Sequence, residues 1–361
     1  MSSRWRETAL TRMLGIDLPI VLGAFGGASS IALTAAVSNG GGLGSYGLYG
    51  YGRERILGTA AELRNATTRP FALNLWLPHR GPGEEEPGSA FSWDRFGAAA
   101  ERLAPLFAEV GMTPPSEAPA AYLPAFDEQL DAVLEARPAV LSVVFGVPDA
   151  ATVDACHARG IRVIGTATTV DEAVALARGG VDAVVASGME AGGHRVSFLR
   201  PAEESLVGTF ALVPQVVDAI DVPVIAAGGI ADARGVAAAL VLGASGAMIG
   251  TAFLATEQSG TSGAHRDALR SSAAAETVLT RAMSGRLARG IPNRATREIT
   301  GPAPFPLQNW LTGLFRARAA ELGRTDLLSL WAGQAASLVR ERDASALLRD
   351  LAAGVDVLLP E

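Results

Sequence analysis

Residues 183–195 read Ala183-Val184-Val185-Ala186-Ser187-Gly188-Met189-Glu190-Ala191-Gly192-Gly193-His194-Arg195. The stretch starts as a short apolar run, the composition of a strand buried on both faces. It then breaks into glycines that carry one acid, one histidine and one arginine. A buried strand that opens into a flexible polar loop is where α/β proteins place their chemistry. Only four histidines occur in the chain. His194 lies in the most permissive backbone among them, which makes it the candidate catalytic residue.

Seven similar apolar runs lie on either side of this one. Upstream are Leu18–Ala24, Leu43–Tyr46, Phe71–Trp76, Ala139–Gly146 and Arg162–Ala167; downstream are Pro223–Ala227 and Ala247–Gly250. Helical periodicity fills the gaps, over Ile31–Ser38, Arg53–Arg64, Pro124–Ala136, the segment after Pro148-Asp149, the segment after Val170, Leu212–Ile220 and Asp232–Leu242. Ser29 or Ser30 caps the first of these helices, and Asn39 with the glycines after it stops it. Strands alternating with helices demand a parallel sheet, and eight such units predict closure into a (β/α)₈ TIM barrel of the α/β class. A doubly wound open sheet is the alternative, but no glycine fingerprint follows the first strand with an acid about 20 residues on.

The rhythm fails between Pro78 and Pro119, a stretch rich in proline, glycine and glutamate with one helix around Trp93–Gly111. It reads as an insertion after the third strand, of the kind that forms a lid. The barrel then spans residues 1–260 with the insertion at 78–119. Residues 261–361 form a mainly helical C-terminal extension packing on the barrel, with a proline-rich link at Pro302, Pro304 and Pro306.

Composition bounds the function. The chain has 361 residues, 49% hydrophobic and 19% charged, with a net charge of −7 and a mean hydropathy of +0.26. An acidic chain with no basic cluster argues against nucleic acid and against anionic membrane surfaces. Its apolar runs are too short for a transmembrane helix, and its N-terminus has no signal-peptide pattern, so a cytoplasmic location is expected. The single cysteine, Cys156, excludes an internal disulfide framework and a cysteine-based zinc site. Every basic residue other than histidine is arginine. Schiff-base aldolases and pyridoxal-phosphate enzymes need a lysine amine, so both classes are excluded.

A second glycine constellation narrows the ligand. Gly228-Gly229 ends the seventh strand, and Met248-Ile249-Gly250-Thr251 ends the eighth. In barrels the turns after these strands commonly bind a phosphate, and glycine lets the backbone approach the anion. Nothing nearby suggests a metal. A phosphate-bearing organic cofactor in a barrel without lysine or metal points to flavin mononucleotide (FMN). Its ring would lie over the barrel mouth, flanked by Ala24, Phe25, Asn74, Ser187, Gly192 and Gly193.

Four blocks together resemble the nitronate monooxygenases of the first class, formerly called 2-nitropropane dioxygenases. They are Pro19-Ile20-Val21 through Gly44, Phe71–Leu75, Glu190–Arg195 and Pro223–Thr251; Pro306–Asn309 and Ser329–Gln334 also fit. The resemblance implies that Asn74, Ser187, Gly192, Gly229 and Met248–Thr251 bind the flavin and that His194 is the catalytic histidine. It implies oxidation of alkyl nitronates with O₂ by one-electron transfer to the flavin, without a nicotinamide. His194 would then act as base when the substrate is a neutral nitroalkane, a task suited to imidazole. Three departures bear on the substrate. Gly23-Ala24-Phe25 stands where relatives have Ala-Pro-Met, Ser187 where glutamine is usual, and Val196 where glycine is common. A biosynthetic specialisation is one alternative. An NAD(P)H-dependent flavin enoyl-acyl-carrier-protein reductase, which shares the Glu-Ala-Gly-Gly-His loop, is another. A third is a barrel that binds a phosphorylated ligand without catalysis.

The remaining candidates are weaker. His79 lies after the third strand and is a candidate second active-site histidine. His157 and His265 read as structural, and Cys156 as a small buried filler. Arg195 either supports the His194 loop or neutralises reduced flavin. Tyr46, Tyr49, Tyr51 and Trp331 are candidates to wall the substrate cavity.

Overall fold

The computed structural model describes residues 4–78 and 93–360. Eight parallel strands make the inner wall: β1 (Ile20–Leu22), β2 (Gly44–Gly47), β3 (Phe71–Trp76), β4 (Val140–Val144), β5 (Arg162–Ala167), β6 (Ala183–Ser187), β8 (Val224–Ala227) and β9 (Gly246–Ile249). A two-residue strand, β7 (Gly193–His194), lies outside this wall, as do β10 (Val278–Thr280) and β11 (Ala288–Gly290). The parallel order is β1-β9-β8-β6-β5-β4-β3-β2. The gap between β1 and β2 closes through a parallel bridge, Val21 to Leu43. There Leu22 N–H donates to the Leu43 carbonyl at 2.9 Å, and Leu43 N–H to the Ile20 carbonyl at 2.9 Å. The chain is a TIM barrel.

Period-2 alternation sorts each strand's side chains between two layers. Val21, Ala72, Val140, Ile164, Ala183, Val185, Ile225 and Ala227 fill the interior. Leu22, Leu73, Leu141, Val163, Val184, Ala226 and Ile249 face the outer helices. The N-terminal helix Ala9–Leu14 sends Leu10 and Leu14 into the interior cluster, which closes the bottom. The first outer helix, Ile31–Asn39, is capped by Ser30, whose hydroxyl accepts from Leu33 N–H. Ser29 instead accepts from the backbone N–H of Gly47 at 3.0 Å, tying β2 to the end of β1.

The described part of the insertion includes helix Trp93–Glu109. It docks on the C-terminal helix Leu307–Glu321, with the Phe107 and Phe315 rings 5.5 Å apart edge to face, and Glu109 accepts from Arg294 and Arg324. The first part of the insertion, His79 included, lies outside the described residues. The C-terminal segment holds helices over Gly263–Leu269, Arg294–Glu298, Leu307–Glu321 and Ala344–Leu358. It also carries β10 and β11, which helical periodicity does not predict. They form an antiparallel sheet with β7 in the order β10-β11-β7, pairing Ala288 with His194 and Arg289 with Gly193.

Candidate active site

At the C-terminal ends of the strands the interior turns polar. Asn74 on β3, Ser142 on β4 and Ser187 on β6 are all buried there. Asn74 donates its amide hydrogens to Ser142 Oγ at 2.9 Å and to the Ser142 carbonyl at 3.2 Å. With both hydrogens spent, its carbonyl oxygen is the group left to accept from a ligand.

The loop after β6 is held from behind. The Glu190 carboxylate accepts from Thr209 N–H at 2.9 Å and Thr209 Oγ1 at 2.8 Å. It therefore caps the helix Thr209–Ala219, whose own N-cap is Gly208 and has no side chain to offer. Arg195, 3% exposed, donates to the carbonyls of Gly188 at 2.6 Å, Ser187 at 3.1 Å and Ser205 at 3.2 Å. Burial draws its guanidinium down to about 10, and nearby Glu172 pulls it back up. These bonds make Arg195 a brace for the loop.

His194, at the end of that loop, places Nε2 2.8 Å from Ser284 Oγ. Its ring lies 5.2 Å from Trp76, 5.6 Å from Trp331 and 6.5 Å from Phe145. Tyr49 and Phe305 extend this aromatic wall through Trp76, at 4.4 and 5.8 Å. Arg286 stacks between the rings of Phe145 and Phe305, 4.2 and 4.1 Å from their centres. Arg316 donates to Ser329 Oγ at 2.6 Å and to Asn309 Oδ1 at 3.1 Å, and Asn309 in turn donates to Tyr49 Oη at 2.9 Å. Burial, then the charges of Arg286 and Arg316, push the His194 imidazole down to about 3. The ring is therefore neutral at neutral pH.

A cup adjoins the polar layer. Gly228 and Gly229 both hold positive φ, +103° and +72°, a run of backbone that residues with a Cβ do not adopt. On the neighbouring strand, Gly250 and Thr251 follow β9. Thr251 Oγ1 accepts from Gly333 N–H at 2.9 Å and still has its own hydrogen to give. The C-terminal segment closes this side, because Gln334 N–H donates to the Glu190 carbonyl at 2.9 Å. It crosses so near the loop that a Cβ on Gly192 would lie 2.6 Å from the Ala332 carbonyl carbon and from Gly333 N. The Phe25 ring faces Gly250, where a Cβ would sit 3.6 Å from its Cε1. Positive-φ glycines, a threonine hydroxyl and an adjoining polar layer are donors that fit a phosphate-bearing cofactor.

The model of the nitronate monooxygenase family matches residues 7–354. The chain belongs to the nitronate monooxygenase family. It is 43% identical over 348 residues to a nitronate monooxygenase of Pseudomonas aeruginosa, covering 94% of this chain and 97% of that one. It is 37% identical over 354 residues to a probable nitronate monooxygenase of Staphylococcus aureus, with 96% and 97% covered. Among solved structures, nitroalkane oxidase from Streptomyces ansochromogenes superposes with a TM-score of 0.87 at 36% identity, covering 97% of this chain and 98% of its own. FabK from Thermotoga maritima superposes at 0.74 with 27% identity, covering 98% and 97%. As a member of this family the chain is a flavin-dependent oxidoreductase.

Within this nitronate monooxygenase fold, the residues singled out in the sequence converge on one end of the barrel. Ala24 and Phe25 follow β1, and Asn74, Ser187 and Met248 point inward at the mouth. Gly192, Gly193 and His194 form the loop and β7, and Gly228, Gly229, Gly250 and Thr251 line the cup. Ile249 differs: its side chain belongs to the outer layer, so only its backbone faces this region. Trp331 borders His194, and Tyr49 joins the same wall through Trp76. Tyr46 and Tyr51 instead pair with each other, hydroxyl to hydroxyl at 3.2 Å, and Arg55 stacks on Tyr51. His157 bonds Asp182 at 2.8 Å beside Arg162, at the opposite rim. Cys156 is buried, and burial pushes its thiol up to about 11. His265 is buried under the site and donates from Nε2 to the Trp331 carbonyl at 3.0 Å. Sequence reasoning missed Ser142, Trp76, Phe145, Ser284, Phe305, Arg286 and Arg316. No described group of His, Cys, Asp or Glu residues could hold a metal ion, and no described helix is long and apolar enough to cross a membrane.

Proposed function

We propose that the chain oxidises alkyl nitronates with O₂ on bound FMN, and accepts neutral nitroalkanes after His194 removes the α-proton. The observation that carries this reading is the position of a neutral imidazole at the barrel mouth, beside both the polar layer and the glycine cup. Gly228, Gly229, Met248, the backbone of Ile249, Gly250 and Thr251 would hold the phosphate. Ala24, Phe25, Asn74, Ser187, Gly192 and Gly193 would flank the ring. FMN supplies the redox chemistry, taking electrons from the substrate and passing them to O₂.

The protein's share is proton transfer and enclosure. As the α-carbon loses its proton to His194, the C–H electron pair moves into the nitro group and a nitronate anion forms. Arg286 and Arg316 oppose charge on the imidazole, yet the same charges favour the new anion. The penalty at the base is thus offset at the substrate. The wall of Tyr49, Trp76, Phe145 and Trp331 keeps water from the carbon being deprotonated.

The test is His194→Asn, assayed on nitroethane and on preformed ethyl nitronate. We expect kcat/KM on the neutral substrate to fall by roughly 100-fold or more, the usual weight of a general base, with a much smaller loss on the nitronate. Equal losses on both remove the base assignment. The likeness to FabK supports the second reading, a flavin enoyl reductase using NAD(P)H. Anaerobic mixing separates the two: propyl nitronate should bleach the flavin, and bleaching by NADPH alone would favour the reductase.

A further inference from the structure

The hydrogen-bond arithmetic at Ser284 reaches beyond the assignment of His194. Ser284 is fully buried, and its hydroxyl has one hydrogen to give and two lone pairs to offer. Three groups surround its oxygen: the Arg286 carbonyl at 3.1 Å, the Arg286 N–H at 3.3 Å and His194 Nε2 at 2.8 Å. A carbonyl only accepts, and giving the hydroxyl hydrogen to Nε2 instead would leave two oxygen lone pairs facing each other at 3.1 Å, so the arrangement that satisfies all three contacts sends that hydrogen to the carbonyl. A backbone N–H only donates, so it takes one lone pair. The remaining partner, Nε2, must donate to the other. Nδ1 has no hydrogen-bond partner among the described residues.

We infer that Ser284 fixes His194 as the Nε2–H tautomer, so that Nδ1 carries the lone pair that takes the substrate proton. The turn that presents Ser284 is itself immobilised from the C-terminal helix. Gln308 donates to the Ala282 carbonyl at 2.7 Å, and Thr312 Oγ1 to the Met283 carbonyl at 2.5 Å. Gly285 N–H closes the turn on the Arg281 carbonyl at 2.8 Å. Ser284 is therefore a positioning residue. In the reaction the α C–H bond breaks, an N–H bond forms at Nδ1, and the electron pair stays on the substrate as nitronate. The bond from Nε2–H to Ser284 persists throughout, so the same oxygen also stabilises the imidazolium.

The inference rests on His194 being the base, and two measurements keep them apart. In flavin-loaded protein labelled with ¹⁵N-histidine, the His194 signals, assigned by their loss in His194→Asn, should show protonated Nε2 and unprotonated Nδ1 at pH 7. A protonated Nδ1 overturns the tautomer assignment. Ser284→Ala should mix the tautomers and lower kcat/KM on nitroethane by about 10- to 100-fold, as loss of an orienting partner does elsewhere. Activity on ethyl nitronate should stay within about 3-fold by the same logic. Ser284→Thr, which keeps the hydroxyl, should restore the spectrum and most of the rate. Equal losses on both substrates in Ser284→Ala overturn the positioning role. If His194→Asn leaves the nitroethane-to-nitronate ratio unchanged, the base itself is lost, and with it the catalytic part of the inference, whatever the spectrum shows.

Discussion

Phe145 holds φ at +69°, in the left-handed region that non-glycine residues avoid. The other described non-glycine residue with positive φ, Arg137, ends a helix in solvent. Phe145 is 2% exposed and lies between Trp76 and the Arg286 guanidinium. Its backbone strain thus turns a strand-end ring into the mouth. Alanine inherits the strain and glycine does not. Phe145→Gly should therefore be more stable than Phe145→Ala by about 1 kcal/mol in urea unfolding, the reverse of their order in ordinary backbone. An alanine variant that is equal or better would remove the strain. This residue also shows where reading the sequence stops. Asn74, Ser187 and His194 stand out as polar interruptions of apolar runs, and Ser142 carries the same signal unheeded. Phe145 and Trp76 look like core, because each sits at the end of its run as one more apolar residue. Only the strand-end rule could have marked them.

The loop after β6 owes its shape to elements far along the chain. Its own sequence reveals glycines but not their causes: Gly192 is small because Ala332 and Gly333 pass against it, and β7 exists because β11 pairs with it. Strand periodicity made the barrel legible, since each unit buries a regular face. The strands β10 and β11 are three residues each, too short to carry a period, and Ser284, Arg286, Phe305 and Arg316 follow no pattern that points at the mouth. Gly192→Ala tests this element directly. Its Cβ meets backbone at 2.6 Å, so the change should cost about 1–3 kcal/mol by overpacking and reduce flavin retained through gel filtration. The same substitution at exposed Gly58, inside helix Arg53–Ala66, meets nothing within 4 Å. It should raise stability by about 0.5–1 kcal/mol. Matching effects at the two sites would show that the crossing segment exerts no constraint on the loop.

Across the whole molecule, two neutral histidines couple the fold to pH. Burial lowers His194 to about 3 and His265 to about 4, whereas both titrate near 6.5 when unfolded. The unfolded chain then binds more protons as pH falls below about 6.5, so stability is full above that pH and declines toward the folded-state values. The lowered carboxylates, such as Asp326 at about 2 beside Arg324 and Arg294, act only below about pH 5. A plot of Tm between pH 7 and 5.5 should therefore slope downward through the histidines and not through these carboxylates. His265→Gln should flatten it; an unchanged slope would show that His265 does not supply it. The long reach of the C-terminal segment has a temporal consequence as well. During synthesis the eight strands are available once residue 249 has emerged, yet the partners of the Glu190 carbonyl and of Thr251 are residues 334 and 333. The clamp of Asp356 on Trp5 and Arg6 comes later still. A nascent chain on the ribosome can therefore close its barrel well before it can enclose a cofactor, and flavin capture becomes a late event in the life of each new molecule.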